Sequence, residues 1–177
     1  MRKFFLLLLA VALLVLFLGC GNGATNAEFL RIHIRADSND NCDQSVKYAV
    51  KSAVVDYLTP CLVGVSCKAD AMTVVKNNLD KIEKVANKTL ATNGFEYRCN
   101  AKLCVEAFPD RSYGSVSLPC GVYDALILEL GSGKGDNWWC VVYPPLCFVG
   151  GESNGTNSIV YRSLIVDIVN KWFTLQK

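Results

Sequence analysis

Cys140 and His33 are the residues of this 177-residue chain whose types would permit nucleophilic catalysis. A cysteine nucleophile needs a neighbouring general base, and the sequence contains a single histidine. A serine nucleophile would have to share that same base. One functional alternative is therefore a cysteine hydrolase that uses Cys140 and His33.

The glycine-rich segment at residues 131–135 raises a second possibility, the binding of phosphate. A phosphate-binding glycine turn leads into a helix N-terminus, whose amides point at the anion. Here it leads into residues 137–148, NWWCVVYPPLCF, a β-rich run that contains a proline pair. The segment therefore indicates a tight turn rather than a nucleotide site.

Metal binding is also disfavoured. The chain has no Cys-x-x-Cys pair, and one histidine cannot build a mixed His/Cys site. We expect no metal, no cofactor and no small-molecule substrate.

The N-terminus has the pattern of an export signal. Arg2 and Lys3 precede an uninterrupted apolar run over residues 4–18, and the small Gly19 precedes Cys20. The run is shorter than the roughly 20 residues of a membrane-spanning helix. The ending at Cys20 resembles a bacterial lipobox, in which the cysteine is lipidated. Lipidation, plain cleavage and retention as an anchor all stay open, and each predicts a chain that lies outside the cytoplasm and meets a membrane through its signal or its lipid.

The charge balance argues against nucleic acid as a partner. Removal of residues 1–19 takes away two of the 18 basic side chains and no acid, which leaves 16 basic and 16 acidic side chains. Binding of phosphate backbones needs a basic footprint, and the sequence contains no cluster of lysine and arginine.

Nine cysteines agree with export, because stable disulfides belong to oxidising compartments. If Cys20 carries lipid, eight remain, an even number that permits complete pairing. A bridge between Cys61 and Cys67 would close a short loop centred on Gly64. The pairing of Cys42, Cys99, Cys104 and Cys120 stays open.

A second bridge is predicted between Cys140 and Cys147. The loop that it would close contains Pro144 and Pro145. A proline pair limits the backbone to extended or turn conformers, and this lowers the entropy cost of closure.

Hydrophobic periodicity predicts the elements that position these residues. A half-buried strand at 29–36 has Leu30, Ile32 and Ile34 on its inner side and Arg31, His33 and Arg35 on its polar side. Amphipathic helices follow from Asp43 to Leu58, where Pro60 ends the first, and from Asp70 to Leu90. Further strands are predicted at 95–107, at 122–130 in a central position, and at 139–143, with a turn at 109–114.

This order indicates an α+β fold with a mostly antiparallel sheet, two central amphipathic helices and a C-terminal helix, stapled by disulfides. The predicted organisation is an export signal at 1–19, a flexible tether at 20–27, an α+β domain at 28–150, a linker at 151–157 and an amphipathic helix at 158–177.

Trp138 and Trp139 beside a rigid loop suit a protein contact, because tryptophan dominates binding hot spots. Neighbouring strand residues point to opposite faces, so we expect one ring to pack inward while the other stays near the surface. Either arrangement leaves a recognition surface available.

The segment from Pro119 to Phe148, read as PCGVYDALILELGSGKGDNWWCVVYPPLCF, resembles the signature of the stage II sporulation protein R family. The segment from Arg31 to Lys47, RIHIRADSNDNCDQSVK, is similar to the family's first strand and the residues after it. His33 stands where the family commonly has arginine, and Asp37 where it has asparagine. Of the cysteines, Cys140 and Cys147 belong to the family pattern.

The resemblance implies an intercompartmental signal in endospore formation rather than an enzyme. Such a protein is made in the forespore and exported into the space between the two membranes. There it triggers a membrane-embedded aspartic protease of the mother cell, which cleaves the precursor of sigma-E. The residues we expect to contact that protease are Asn137, Trp138, Trp139, Pro144 and Pro145, with Arg31 and His33 as neighbours.

Overall fold

The computed structural model describes residues 28–113 and 116–144. Its elements, in chain order, are β1 (Leu30–Arg35), α1 (Asn41–Cys61), α2 (Lys68–Asn77), α3 (Leu79–Thr92), β2 (Cys99–Phe108), β3 (Arg111–Tyr113), β4 (Val116–Leu118), β5 (Gly121–Leu130) and β6 (Asn137–Tyr143). The predicted export signal, tether, linker and C-terminal helix lie outside the described residues, as do Cys20, Pro145 and Cys147.

Four of the strands form one sheet in the order β2-β5-β1-β6. β1 runs parallel to β5 and antiparallel to β6, and β2 runs antiparallel to β5. The α+β prediction with a mostly antiparallel sheet is therefore confirmed, as is the central position of β5.

β1 is not the half-buried strand that its alternating pattern predicts. It lies between β5 and β6, and its first five residues are buried, the polar Arg31 and His33 included. A strand in the middle of a sheet is covered on both faces when helices pack on one and other elements cover the other. The alternating residues of β1 therefore face two different buried environments, rather than the core on one side and solvent on the other.

The two faces of the sheet carry different cores. Leu30, Ile32 and Ile34 face the helices and pack with apolar side chains of all three. The opposite side is called the second face below, and its buried apolar residues are Phe29, Phe108, Leu118, Tyr123, Ala125, Ile127 and Val141.

The first helix is longer than predicted. α1 begins at Asn41 and continues through Pro60 to Cys61, because the backbone N–H of Leu62 still donates to Leu58 O at 3.1 Å. Proline removes one donor and excludes helix mainly from the residues before it. Pro60 has no N–H to donate to the helix, but it lies in the last turn, and the Leu62 N–H continues the helical pattern after it.

The second predicted helix is two helices, α2 and α3, which meet at Asn78. The side-chain amide of Asn78 donates to Val74 O at 2.8 Å, and its oxygen accepts a hydrogen bond from the Tyr57 hydroxyl at 2.8 Å. Side chains of this type compete with helical hydrogen bonds. The described residues therefore contain three helices where the sequence predicts two central helices.

The segment predicted as a turn at 109–114 contains β3, which pairs antiparallel with β4. Leu118 of β4 belongs to the second-face core, and Tyr113 of β3 packs against that core. This small ribbon therefore covers part of the second face.

Neither predicted disulfide is present. Cys61 belongs to the last turn of α1, where its thiol donates to Tyr57 O at 3.4 Å, and both Cys61 and Cys67 are free thiols. Cys67 ends the short non-helical connection, residues 62–67, between α1 and α2. Cys140 is a buried thiol in the helix-side core, and Cys147 lies outside the described residues.

Cys120 and Cys99 differ from the cysteines of the predicted bridges. Cys120 is disulfide-bonded, and its partner is none of the other described cysteines, all of which are thiols. Burial raises the pKa of the Cys99 thiol to about 12. A thiol with such a pKa is a poor nucleophile, so Cys99 is a core residue.

Candidate functional site

The register between β1 and β6 brings the two family-like segments side by side. Arg35 pairs with Asn137, Ile34 with Trp138, and His33 with Trp139. Residues separated by about a hundred positions in sequence therefore form one continuous surface. Within the described part of the chain, β6 is an edge strand of the sheet.

The two tryptophans point to opposite faces. Trp138 packs against the helix-side core, with the Lys51 ammonium 5.8 Å from its ring centroid. Trp139 packs against the second-face core. Both rings are partly exposed, so each face of β6 presents an aromatic ring near the surface.

Trp139 lies between the buried His33 imidazole and an exposed arginine. Its ring stacks on the His33 imidazole, with centroids 5.2 Å apart and planes 28° apart. The guanidinium of the exposed Arg111, at the start of β3, lies 4.4 Å from the centroid of the same ring. Cation–π contacts of this kind contribute roughly 0.5–2 kcal/mol.

Arg31 is fully buried in an aromatic environment. Its guanidinium carbon lies 4.2 Å from the Phe108 centroid and 4.9 Å from that of Tyr123, and Nη2 donates to the Tyr113 hydroxyl at 2.7 Å. The other two guanidinium nitrogens, Nε and Nη1, have no hydrogen-bond partner. The prediction that Arg31 lies on the polar side of a half-buried strand is therefore wrong, because the second face is covered.

His33 is also buried, at 5% exposure. Its Nδ1 lies 2.8 Å from Glu106 Oε2. Because a carboxylate only accepts hydrogen bonds, Nδ1 carries the proton that joins the two side chains. Nε2 is buried and has no partner. His33 is thus held in one orientation, and neither of its edges faces solvent.

Ion pairs continue this arrangement toward the end of the sheet near the 131–135 loop. Arg35 pairs with both Glu106 and Glu129, and Lys102 lies 3.0 Å from Glu129. The hydrogen bond from Lys102, with the positive charges of Lys102 and Arg35, lowers the pKa of Glu129. Glu106 and Glu129 are therefore engaged by Arg35, His33 and Lys102, and Arg31 belongs to none of the ion pairs among described residues.

Glu129 is expected to make the protein sensitive to acid. Its pKa in the folded chain is below the ordinary value, so its ionised form stabilises the fold above the unfolded-state pKa, and that contribution is lost as pH falls through the folded-state pKa. Glu129→Gln should flatten the decline of the urea midpoint below about pH 4.5. The exposed Glu96→Gln serves as control. An equal decline in wild type and Glu129→Gln would contradict the assignment.

The glycine loop docks on the segment that follows β1. Gly131 and Gly133 have positive φ values of 56° and 62°, which glycine adopts without steric cost. The Ser132 hydroxyl donates to Asp37 O at 2.8 Å, and the Gly135 N–H donates to Ala36 O at 2.8 Å. The loop is a tight turn, as its sequence predicts, and it holds β6 against β1.

Lys47 of α1 contacts the same region, where the residues after the glycine loop meet the segment that follows β1. Its ammonium is buried and donates to Gln44 Oε1 at 2.6 Å and to Asp136 O at 3.0 Å. Desolvation lowers the pKa of Lys47. The Asp136 N–H donates to Asn39 Oδ1 at 2.6 Å. These polar residues therefore position the sheet and do not form an open site.

The Cys–His dyad of the hydrolase alternative is not assembled. Cys140 pairs with Ile32 and packs in the helix-side core, whereas His33 lies on the second face. The sheet separates the two side chains, so His33 cannot take a proton from the Cys140 thiol.

The remaining predicted contact residues occupy different environments. Asn137 is exposed at the start of β6, and Pro144 is buried after a cis peptide bond from Tyr143. Pro145 lies outside the described residues. The structure adds Glu106, Phe108 and Tyr113, which the sequence did not single out as site residues. The pattern of β2 offered one signal, since Glu106 falls on the same side of that strand as Lys102.

Other classes of site were tested on the described residues alone. Within them, no group of three or more histidine, cysteine or acidic side chains is arranged to hold a metal ion. None of the helices described here is long and apolar enough to cross a membrane.

Comparison with known proteins identifies the family of this chain. The family described as stage II sporulation protein R matches residues 26–153. A relative named stage II sporulation protein R from Bacillus subtilis (strain 168) is 33% identical over 126 residues, which are 71% of this chain and 56% of the relative. No solved structure matches the chain. The matched region spans β1, the glycine loop and β6, and the chain therefore belongs to the stage II sporulation protein R family.

Proposed function

We propose that this protein is an exported signal of endospore formation that acts by contact with a membrane-embedded aspartic protease. On this proposal the protein reaches the space between forespore and mother cell, with its N-terminal signal or a lipid on Cys20 at the membrane. Contact activates the protease, which then cleaves the sigma-E precursor. Family membership supports the role in sporulation.

The observation that carries the contact surface is the pairing of β1 with β6. It places Trp138 and Trp139, both partly exposed, at an edge strand of the described sheet, with the exposed Asn137 beside them. Arg111 and Lys51 add a cation to each ring. Large aromatic rings with adjacent cations are the composition of binding hot spots.

Cys140 and His33 lie on opposite sides of the sheet and cannot act as a catalytic pair. This favours a signal over a hydrolase. In a spore-forming bacterium that lacks its own relative, the full-length chain is expected to restore cleavage of the sigma-E precursor, measured by immunoblot. Cys140→Ala is expected to restore it as well, because Cys140 is buried in the helix-side core, across the sheet from His33. Failure of the wild-type chain would contradict the proposed function, and loss of cleavage in a folded Cys140→Ala chain would favour the hydrolase.

A further inference from the structure

The guanidinium of Arg31 is a buried cation without a counter-ion. Its side chain is fully buried, and Nε and Nη1 have no partner among protein atoms. Aromatic rings at 4.2 and 4.9 Å compensate part of the charge. They accept no conventional hydrogen bond from the two remaining nitrogens. A buried charge left in this state is costly, so its retention calls for a function.

His33 adds a second unpartnered group to the same location. Arg31 and His33 are two residues apart on the same face of β1 and both contact Phe108, the imidazole with a ring-centroid distance of 5.9 Å. Nδ1 is committed to Glu106, which leaves Nε2 unpartnered. When the imidazole is charged, Nε2 is a donor. Both side chains then offer N–H groups next to one aromatic ring.

The described acids nearby do not serve these donors. Glu106 pairs with His33 Nδ1 and Arg35, and Glu129 pairs with Arg35 and Lys102. The exposed Arg111 sits on Trp139, which stacks on His33. Arg111, Trp139 and His33 therefore form a continuous series of contacts that leads from the exposed edge of the second face toward Arg31.

We propose that Arg31 and His33 form a recognition site for a carboxylate side chain presented by an acidic segment of the partner protein. The proposal depends on the proposed function, since the partner is the one whose docking on β6 is inferred above. Both side chains are covered in the free chain, so docking displaces part of the aromatic cover. The carboxylate then accepts the hydrogen bonds that Arg31 now lacks, and charge-assisted bonds to arginine are strong.

A pair of capped peptides tests the chemistry directly. One carries a single glutamate, and its twin carries glutamine at the same position. With the full-length chain in detergent micelles, ¹⁵N-arginine spectra should show the Arg31 Nε–H signal shifting with the glutamate peptide. The glutamine twin should bind at least about tenfold more weakly, a difference expected for loss of a charged hydrogen-bond partner. Equal binding of the two peptides would overturn the proposal.

Arg31→Met and Arg31→Lys separate recognition from folding. Arg31→Met fills similar space without the unpaired charge, so its urea midpoint should equal or exceed that of wild type. Arg31→Lys keeps a charge but has a single nitrogen in place of the planar guanidinium. Both should bind the glutamate peptide at least about tenfold more weakly than wild type. A large drop in the Arg31→Met midpoint would show that the guanidinium is a structural group, and would overturn the proposal.

Processing of the sigma-E precursor distinguishes this proposal from the function on which it depends. If wild type restores processing and Arg31→Met does so equally, the carboxylate site is refuted while the signalling function stands. If wild type fails to restore processing, the signalling function is refuted, and the peptide pair still decides whether Arg31 binds a carboxylate.

Discussion

Replacing Trp139 with alanine is expected to reduce processing of the sigma-E precursor to the level seen without the protein. The Trp139 ring is partly exposed on β6, stacks on His33 and lies beneath the Arg111 guanidinium. Truncation of a hot-spot tryptophan costs about 2–4 kcal/mol of binding free energy, which corresponds to a loss of roughly 30- to 800-fold in affinity. The measurement is the fraction of precursor cleaved in sporulating cells that carry the variant.

The control must show that the Trp139→Ala chain remains folded. Loss of the His33 stack should lower the free energy of unfolding by about 1 kcal/mol, which urea denaturation of the purified chain will detect. Tyr48→Ala removes an exposed aromatic ring from α1 and should leave processing unchanged. We expect Trp138→Ala to impair processing too. Normal processing in both tryptophan variants would refute β6 as the contact surface.

Replacing Gly135 with alanine is expected to lower the free energy of unfolding by about 3 kcal/mol, the upper range for overpacking. A Cβ atom at this position would lie 2.2 Å from the backbone oxygen of Ser38 and 3.0 Å from the Ala36 Cβ. A backbone oxygen cannot move aside as a flexible side chain can. The change should therefore force the glycine loop away from the segment after β1. The urea midpoint measures the resulting loss of stability.

Gly64→Ala is the matched control for Gly135→Ala. Gly64 has a φ of +80° and open space around the position of a Cβ atom. Its substitution brings conformational strain of about 1–2 kcal/mol without a collision. A Gly135→Ala variant no less stable than Gly64→Ala would contradict the predicted clash.

Much of the fold follows from periodicity. The apolar residues of β5, the stripe of α1 and the alternation of β2 each indicate the element that is found. The burial of β1 is predicted wrongly. Its alternating pattern indicates two different environments but does not show whether the second one is solvent or a second core. The aromatic cover that buries Arg31 comes from β2, β3 and β5, and nothing near Arg31 in sequence indicates it.

The sequence predicts the tryptophans of the candidate site but not the buried contacts behind them. Trp138 and Trp139 are conspicuous in sequence, and the structure places them at an edge strand on opposite faces. The partners of Arg31 and His33 are distant in sequence, since Arg31 contacts Tyr113 across 82 positions and His33 contacts Glu106 across 73. Only the strand order decides such contacts. The predicted Cys61–Cys67 bridge is absent, and α1 extends through Pro60, which local rules treat as its end.

The position of β1 at the centre of the sheet also governs when this chain can fold. β1 emerges first during synthesis, yet Arg35 pairs with Glu129, 94 residues later, and β6 follows later still. Such non-local pairing makes folding slow, because the loop entropy is lost before the contacts form. A ribosome adds about 5–20 residues each second, so the central strand lacks both neighbours for several seconds. During that interval β1 cannot complete its sheet, and the fold is completed only after nearly the whole domain has been made.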